Sequence, residues 1–439
     1  MSRKAYRATS VNDVKWEQFA RGKEGMGACL GIDIGKFDLF VVCRWTDGQF
    51  ERPWRVKNPW EIPRLVALVE QIKAGRELMV ALESSGTYGD ALRQALADKR
   101  IEVQRVGGKA AHDYAEVFDG VPSQHDGKDA AVIADLAALG KAKPWVYQGA
   151  CGWEEELTYW VEQMVVQRQV FTFWQGRLEG LVARHWPEAL QVLKLSSGTL
   201  LRSLKRYGTP QELALDADAA KQLTCWSGAL LSQAKVEKFL ADARSSVGVR
   251  AGQWQRCQIQ EYAEKALEAR RQSNRAEREL RRLAEGHAVL QAQGKVVGVP
   301  TACVLWVNTG DPRQFDSAGA YRKAMGLNLV ERSSGCYQGE LRISKRGSAR
   351  TRQWLYFAAL RQVQKSEVRA WYEAKKSSDE GDAIRLVVAV MRKLAVALYH
   401  VGVRNEAFEP RRLFGRIRNR RRRSAVGANA GKEEKKTKG

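Results

Sequence analysis

The sequence predicts an α/β N-terminal domain, a helical coiled-coil middle and a mainly α-helical C-terminal domain. Three observations carry that expectation. Between residues 27 and 146, short apolar runs alternate with helix-period segments. Residues 153–186 then repeat apolar side chains in alternating four- and three-residue steps, the spacing of a helical seam. Two long helical patterns, 348–375 and 382–400, close the folded part. A chain of 439 residues exceeds one small core. The expected divisions are an arm (1–26), an α/β domain (27–150), a coiled-coil or helical linker domain (151–292), a C-terminal domain (293–405) and a basic disordered tail (406–439).

In order, residues 1–26 are polar, with only Trp16 and Phe19 to bury. Ala28–Ile34 and Phe37–Arg44 read as paired strands joined at a Gly-Lys corner, with a third strand near 50–56. Ile62, Leu65, Leu68, Val69 and Ile72 mark a helix over 61–74. A buried strand over 77–82 ends at Glu83, a turn follows over 84–89, and a helix over 90–99. Another strand spans 101–106, with helices over 110–118 and 125–139, the latter amphipathic. The seam over 153–186 uses Trp153, Leu157, Trp160, Met164, Phe171, Trp174, Leu178 and Leu181, with Gln167 its one polar member. A charged helix follows over about 251–285, and the pair forms either a hairpin packed on itself or an intermolecular coiled coil. Short helices fill 190–248, and a helix–turn–helix outline surrounds Gly298-Val299-Pro300.

The formal charge of +23 and pI near 9.8 point to a polyanionic partner, nucleic acid before an acidic membrane surface. Residues 411–439 hold 12 Lys and Arg against 2 Glu, and the body remains basic without them. The 7 cysteines are scattered without a CxxC pair, which speaks against a disulfide framework or a zinc site and fits a reducing cytoplasm. No run of 18 apolar residues and no signal-peptide core stand out, so no membrane role is expected.

Four carboxylates attract attention. Asp33 interrupts an apolar strand, where it either caps a turn or holds a cation. Glu83 ends another strand, and Asp126 and Asp129 stand three apart at a helix start, where capping is the ordinary use. Converging carboxylates suit Mg²⁺ or Mn²⁺ rather than zinc, and two such ions support phosphodiester chemistry. Ser333 and Ser334 precede Gly335 and are followed by Arg342, Lys345 and Arg346. A hydroxyl beside guanidinium groups can attack a phosphate, although Ser-Ser-Gly is ordinarily a loop.

The order Gly-Ile-Asp-Ile-Gly-Lys (31–36), Leu-Glu-Ser-Ser-Gly-Thr-Tyr (82–88), Asp-Gly-Lys-Asp-Ala (126–130), Phe-Asp-Ser-Ala (315–318), Arg-Ser-Ser-Gly (332–335) and Ile-Ser-Lys-Arg-Gly (343–347) resembles the DEDD transposases of insertion sequences. These include the Piv/MooV-type DNA invertases and the bridge-RNA-guided recombinases. The resemblance implies a RuvC-like, ribonuclease-H-fold first domain with Asp33, Glu83, Asp126 and Asp129 as the metal-binding tetrad. It further implies a coiled coil for self-association as a dimer or tetramer, and a transposase domain whose serine joins covalently to a DNA end. Ser334 matches that serine best, with Ser333 as the fallback, and in the family its site is completed by another subunit's first domain. Partners implied are target and donor DNA and a structured guide RNA, in a bacterial cytoplasm at the nucleoid. Nucleic-acid contacts are expected at Lys36, Arg332, Arg342, Lys345, Arg346 and Arg350, and along Arg416, Arg418, Arg420, Arg421, Arg422 and Arg423. The sequence departs from the family pattern at His125, where Thr is usual, at Pro300, and at Cys336.

Two other enzymatic readings use the same residues. A junction-cutting nuclease, or an invertase without a guide, needs the carboxylates but no RNA. An actin-like or sugar-kinase ATPase shares the Gly-Ile-Asp-Ile-Gly-Lys pattern but requires further phosphate and adenosine loops that the sequence does not show.

Overall fold

The structure is a computed structural model that describes residues 7–83, 86–121, 125–145, 152–331, 339, 341–378 and 383–415. The chain divides into two compact units, Met1–Cys151 and Gly152–Gly439.

Unit 1 is a mixed sheet with helices on both faces. Its strands are β1 (Thr9–Ser10), β2 (Ala28–Ile34), β3 (Asp38–Trp45), β4 (Trp54–Lys57), β5 (Leu78–Glu83), β6 (Val103–Val106) and β7 (Lys143–Pro144), and its helices are α1 (Trp16–Phe19), α2 (Ile62–Lys73), α3 (Asp90–Asp98), α4 (Gly108–Asp119) and α5 (Asp126–Ala138). The sheet order is β1-β4-β3-β2-β5-β6-β7. β2, β3 and β4 form an antiparallel meander, whereas β5 runs parallel to β2 and β6 parallel to β5. The chain therefore leaves β2 on one side and returns to pair with it on the other. That is a topological switch point, where sheets of this kind place ligands beyond the carboxyl ends of the strands.

Alternation along the strands decides which side chains face each layer of helices. Leu30, Ile32, Val80 and Leu82 share a core with α2 and α3, while Cys29 and Ala81 pack with α4 and α5 on the opposite face. With a period of two, Asp33 and Glu83 fall on the α4/α5 face. α5 lies against β2 because position 31 is glycine. A Cβ there would stand 2.1 Å from the Ala130 carbonyl oxygen and 2.3 Å from the Ala134 nitrogen. The facing helix surface is correspondingly small, with Ala130, Ala131, Ala134 and Ala137 buried.

Residues 9–19 are not the detached arm expected from their polarity. β1 pairs in parallel with the edge strand β4, Val11 and Val14 are buried, and Phe19 packs against Trp45 and Trp54 at 5.3 and 5.1 Å. Too few apolar residues stand in sequence there to predict it, but backbone pairing to an open edge needs none.

Unit 2 is helical. α6 (Trp153–His185) and α12 (Gln253–Glu285) form an antiparallel hairpin. It is pinned by Trp153 Nε1 to the Leu283 carbonyl at 3.3 Å, by the Arg168–Glu277 ion pair, and by Trp174 against Tyr262 at 5.0 Å. The heptad seam of 153–186 is thus used within the chain, against a stripe on α12 that includes Ala263, Ala266, Ser273, Ala276 and Leu280. Between the hairpin helices sit α7 (Ala189–Val192), α8 (Gly198–Tyr207), α9 (Pro210–Leu215), α10 (Ala219–Ser227) and α11 (Gln233–Arg244), which share a core with the hairpin around Trp186, Leu204 and Phe239.

The remainder contains α13 (Ala288–Val297), α14 (Val299–Thr309), α15 (Ala318–Ala324), a ribbon of β8 (Leu329–Val330) and β9 (Arg342–Ile343), then α16 (Ala349–Val363), α17 (Ser366–Ser378), α18 (Ala383–Arg404) and α19 (Pro410–Leu413). The helix expected over 348–375 is two helices, broken near Gln364 and Lys365. α18 has the length and mean apolarity to cross a membrane although Arg392 and Lys393 interrupt its apolar run, but 56% of that stretch is buried and Val390, Leu394 and Leu398 lie in the core of unit 2.

Candidate functional site

Parallel pairing of β2 with β5 places Ile32 opposite Leu82, so Asp33 and Glu83 leave the sheet side by side at its carboxyl end. α5 begins above them. His125 caps α5, its Nδ1 accepting the Gly127 amide at 3.1 Å. The histidine at the family's threonine position thus performs an N-cap function, and the first turn is intact.

Lys128 directs that turn. Its side chain is 1% exposed, and its Nζ donates to Asp119 Oδ1 at 2.6 Å and to the Val121 carbonyl at 2.5 Å. A lysine held inward between Asp126 and Asp129 turns those two away from the core. The other end of α5 is tied by Asp135, which accepts from Arg44 Nε of β3 at 2.8 Å and from the Tyr114 hydroxyl of α4 at 2.7 Å.

The result is an acidic cluster. Asp33, Asp126 and Asp129 each bring a carboxylate oxygen within 4.8 Å of the others. Glu83 stands outside that triplet, its carboxylate against Gly108 at the start of α4, where a Cβ would approach Oε1 to 2.4 Å. It remains close enough for charge to be felt. Burial first, then the carboxylates of Asp129, Asp126 and Glu83, push the Asp33 carboxyl from 3.8 up to about 7. Burial and Asp129 raise Glu83. Burial and Asp126 raise Asp129, with Lys128, His125 and His112 pulling the other way.

Such mutual repulsion is unfavourable for the protein alone and is relieved by a cation. The donor set consists of carboxylates, so it fits a hard divalent ion such as Mg²⁺ or Mn²⁺. Asp33, Asp126 and Asp129 would hold it first, with Glu83 adjacent.

The other expected residues divide. Lys36 is exposed at the corner after β2, 5.0 Å from the Phe37 ring. Lys345 and Arg346 are exposed after β9, in a segment fixed by Ser344 N to the Asn328 carbonyl at 2.8 Å and Lys345 N to the Gly326 carbonyl at 3.1 Å. Arg342 lies on β9. Arg350, expected to face nucleic acid, is instead ion-paired with Glu162 of α6. Ser333, Ser334 and Arg332 lie outside the described residues, as do Arg416, Arg418, Arg420, Arg421, Arg422 and Arg423. Pro300 falls in the first turn of α14, where the missing amide has no helical partner to lose.

Three positioning residues escaped the sequence reading: Gly31, Gly108 and Lys128. The Gly at 31 was visible as an interruption of an apolar run, and Gly107-Gly108 as a break after a strand. Nothing in local pattern marks a lysine on an acidic helix start as buried.

A mixed sheet that gathers carboxylates beyond its central strands, followed by a largely helical remainder, is consistent with the RuvC-like class of DEDD transposases. Residues 30–148 match the family model described as a transposase of the DEDD IS110 type, and residues 288–373 match that of the IS116/IS110/IS902 transposase family. The chain is a DEDD-type insertion-sequence transposase of the IS110/IS116/IS902 family, an enzyme of DNA strand cleavage and transfer. No curated protein matches it.

Proposed function

We propose that the chain moves an insertion sequence by covalent serine chemistry, assisted by divalent ions on Asp33, Glu83, Asp126 and Asp129, with a bound RNA selecting the DNA. The observation that carries the reading is the carboxylate triplet within 4.8 Å, inside the matched transposase domain. Bound Mg²⁺ would supply Lewis-acid stabilisation of charge on the phosphodiester. The chain's own part is to hold those oxygens in place, through Gly31, Lys128 and Asp135.

Ser334 supplies the attacking hydroxyl, with Ser333 as the fallback. Its Oγ bonds to phosphorus, a deoxyribose oxygen leaves, and the proton lost by the serine ends on that oxygen. One phosphate ester replaces another, so the later attack by a strand-end hydroxyl restores the serine and needs no external energy source. Lys345, Arg346 and Lys36 are exposed cations suited to the DNA backbone. Self-association is supported by Tyr159, Val166 and Phe173, exposed on α6 at seven-residue intervals. A DNA-acting enzyme of this kind belongs in the cytoplasm, at the nucleoid.

The test is recombination of plasmids carrying the element's ends, with denaturing gels for a protein–DNA adduct. Asp129→Asn should abolish strand transfer while the protein remains folded, and Ser333→Ala with Ser334→Ala should abolish the adduct. Cleavage that persists without either serine would favour the plain nuclease. RNA co-purifying with the native protein and encoded beside its gene supports the guide, and its absence from an active preparation refutes it.

A further inference from the structure

We propose that the helical cap on the α6–α12 hairpin holds a second nucleic-acid site, a pocket for one unpaired nucleotide of a bound strand. It rests on the reading of the chain as a nucleic-acid enzyme, but it lies in residues that neither transposase match includes. The cavity sits where the start of α8 meets α12 and the α10–α11 connection, and its volume is about 580 Å³. That is within the range of roughly 300–1,000 Å³ for small-molecule sites.

Its lining has two chemistries. Leu193, Leu231 and Leu267 contribute apolar surface beside Trp226. Around them stand Lys194, Arg202, Lys235, Arg270 and Arg271, and among the described residues no Asp or Glu lines the cavity. Two guanidiniums are fixed with no ion pair among the described residues: Arg202 donates to the Trp226 carbonyl at 2.8 Å and Arg270 to the Ser196 carbonyl at 2.9 Å. Arg271 differs, being ion-paired with Glu268 at 2.5 Å. Lys194 and Lys235 are exposed. The first residue of α8 closes on Arg270, so that a Cβ at Gly198 would lie 3.3 Å from its Nη1. The amide end of an α-helix thereby adds to the same positive field.

Lys194, Arg202, Lys235 and Arg270, for which no ion pair forms among the described residues, repel one another, and a phosphate relieves that repulsion. A bare phosphate has no use for the leucines or the indole. A base does: aromatic and apolar surface takes its face while the rim takes the flanking phosphates. A duplex cannot present an isolated base this way, so the occupant is an unpaired position. RNA and DNA share this chemistry.

The experiment is fluorescence anisotropy of the full chain with short unpaired DNA, unpaired RNA and duplex DNA, across a salt series. In Lys194→Ala/Lys235→Ala the log–log salt slope for the unpaired strand should fall by about 1.4, the value for two lost single-strand phosphate contacts. Trp226→Leu should weaken unpaired-strand binding roughly fivefold or more, as loss of a stacking surface does, and leave the slope unchanged. Thermal unfolding of each variant checks the fold, and photocrosslinking should place the strand on peptides from 193–235. An RNA-only or a DNA-only response names the strand and supports the site in either case. Unchanged slope and affinity in both variants, or crosslinks confined to other regions, overturn it. Because binding is read rather than strand transfer, a chain without recombinase activity still tests the pocket.

Discussion

Replacing Asp33 by Asn should make the metal-free protein more stable and the enzyme inactive. The side chain keeps its shape and loses the charge that Asp129, Asp126 and Glu83 oppose. A rise in pKa from 3.8 to about 7 is worth about 4 kcal/mol at about 1.4 kcal/mol per pH unit. Solvent screening of a half-buried site lowers this to about 2 kcal/mol. Because the folded value is raised, the wild-type contribution is fully present below pH 3.8 and is lost as pH rises through about 7. The wild-type minus variant stability should therefore decline between those limits and flatten above them. Calorimetry in EDTA reads this, with a Tm gain of several degrees for the variant at pH 8. Mn²⁺ should then raise the wild-type Tm by mass action and leave the variant nearly unmoved. A variant that unfolds earlier than wild type in EDTA at pH 8 would refute the reasoning, since it would mean that Asp33 serves the fold rather than a cation.

Other outcomes follow from the same packing. Gly31→Val should lift α5 from β2, costing about 1–3 kcal/mol as overpacking does, and should lose Mn²⁺ binding by calorimetric titration although every carboxylate remains. Lys128→Met takes the ammonium away from the buried Asp119 carboxylate, and urea unfolding should show a loss of about 3–5 kcal/mol, largely recovered when Asp119→Leu is added. Arg350→Ala should lower stability by under about 1 kcal/mol and leave the salt slope of DNA binding unchanged, because Glu162 already holds the guanidinium. Removing residues 416–439 should weaken nucleic-acid binding and flatten its salt dependence. The cut belongs there rather than at 411, because Phe414 is buried, 5.4 Å from the Trp371 ring.

The central strands β2, β3 and β5 and the helices α2 to α5 of unit 1 were legible because alternation and helical spacing are local properties, and α2, α3 and α5 fall within two residues of their expected limits. Asp33, Asp126 and Asp129 were legible through their placement at element ends. Their convergence was not, because it depends on β2 pairing with a strand nearly fifty residues later and on α5 crossing β2 at a glycine. The terminal strand β1 and the break between α16 and α17 escaped because backbone pairing and a bend leave little trace in hydrophobic pattern. For the hairpin the seam was readable, yet whether it faced α12 or another chain was not, since both uses bury the same positions.

The central claim is that Asp33, Asp126 and Asp129 share a divalent ion. Anomalous diffraction from crystals of the full chain grown with Mn²⁺ tests it most directly. The account predicts a manganese peak within about 2.5 Å of oxygens from all three carboxylates. A crystal with manganese bound elsewhere and these side chains turned apart would contradict it.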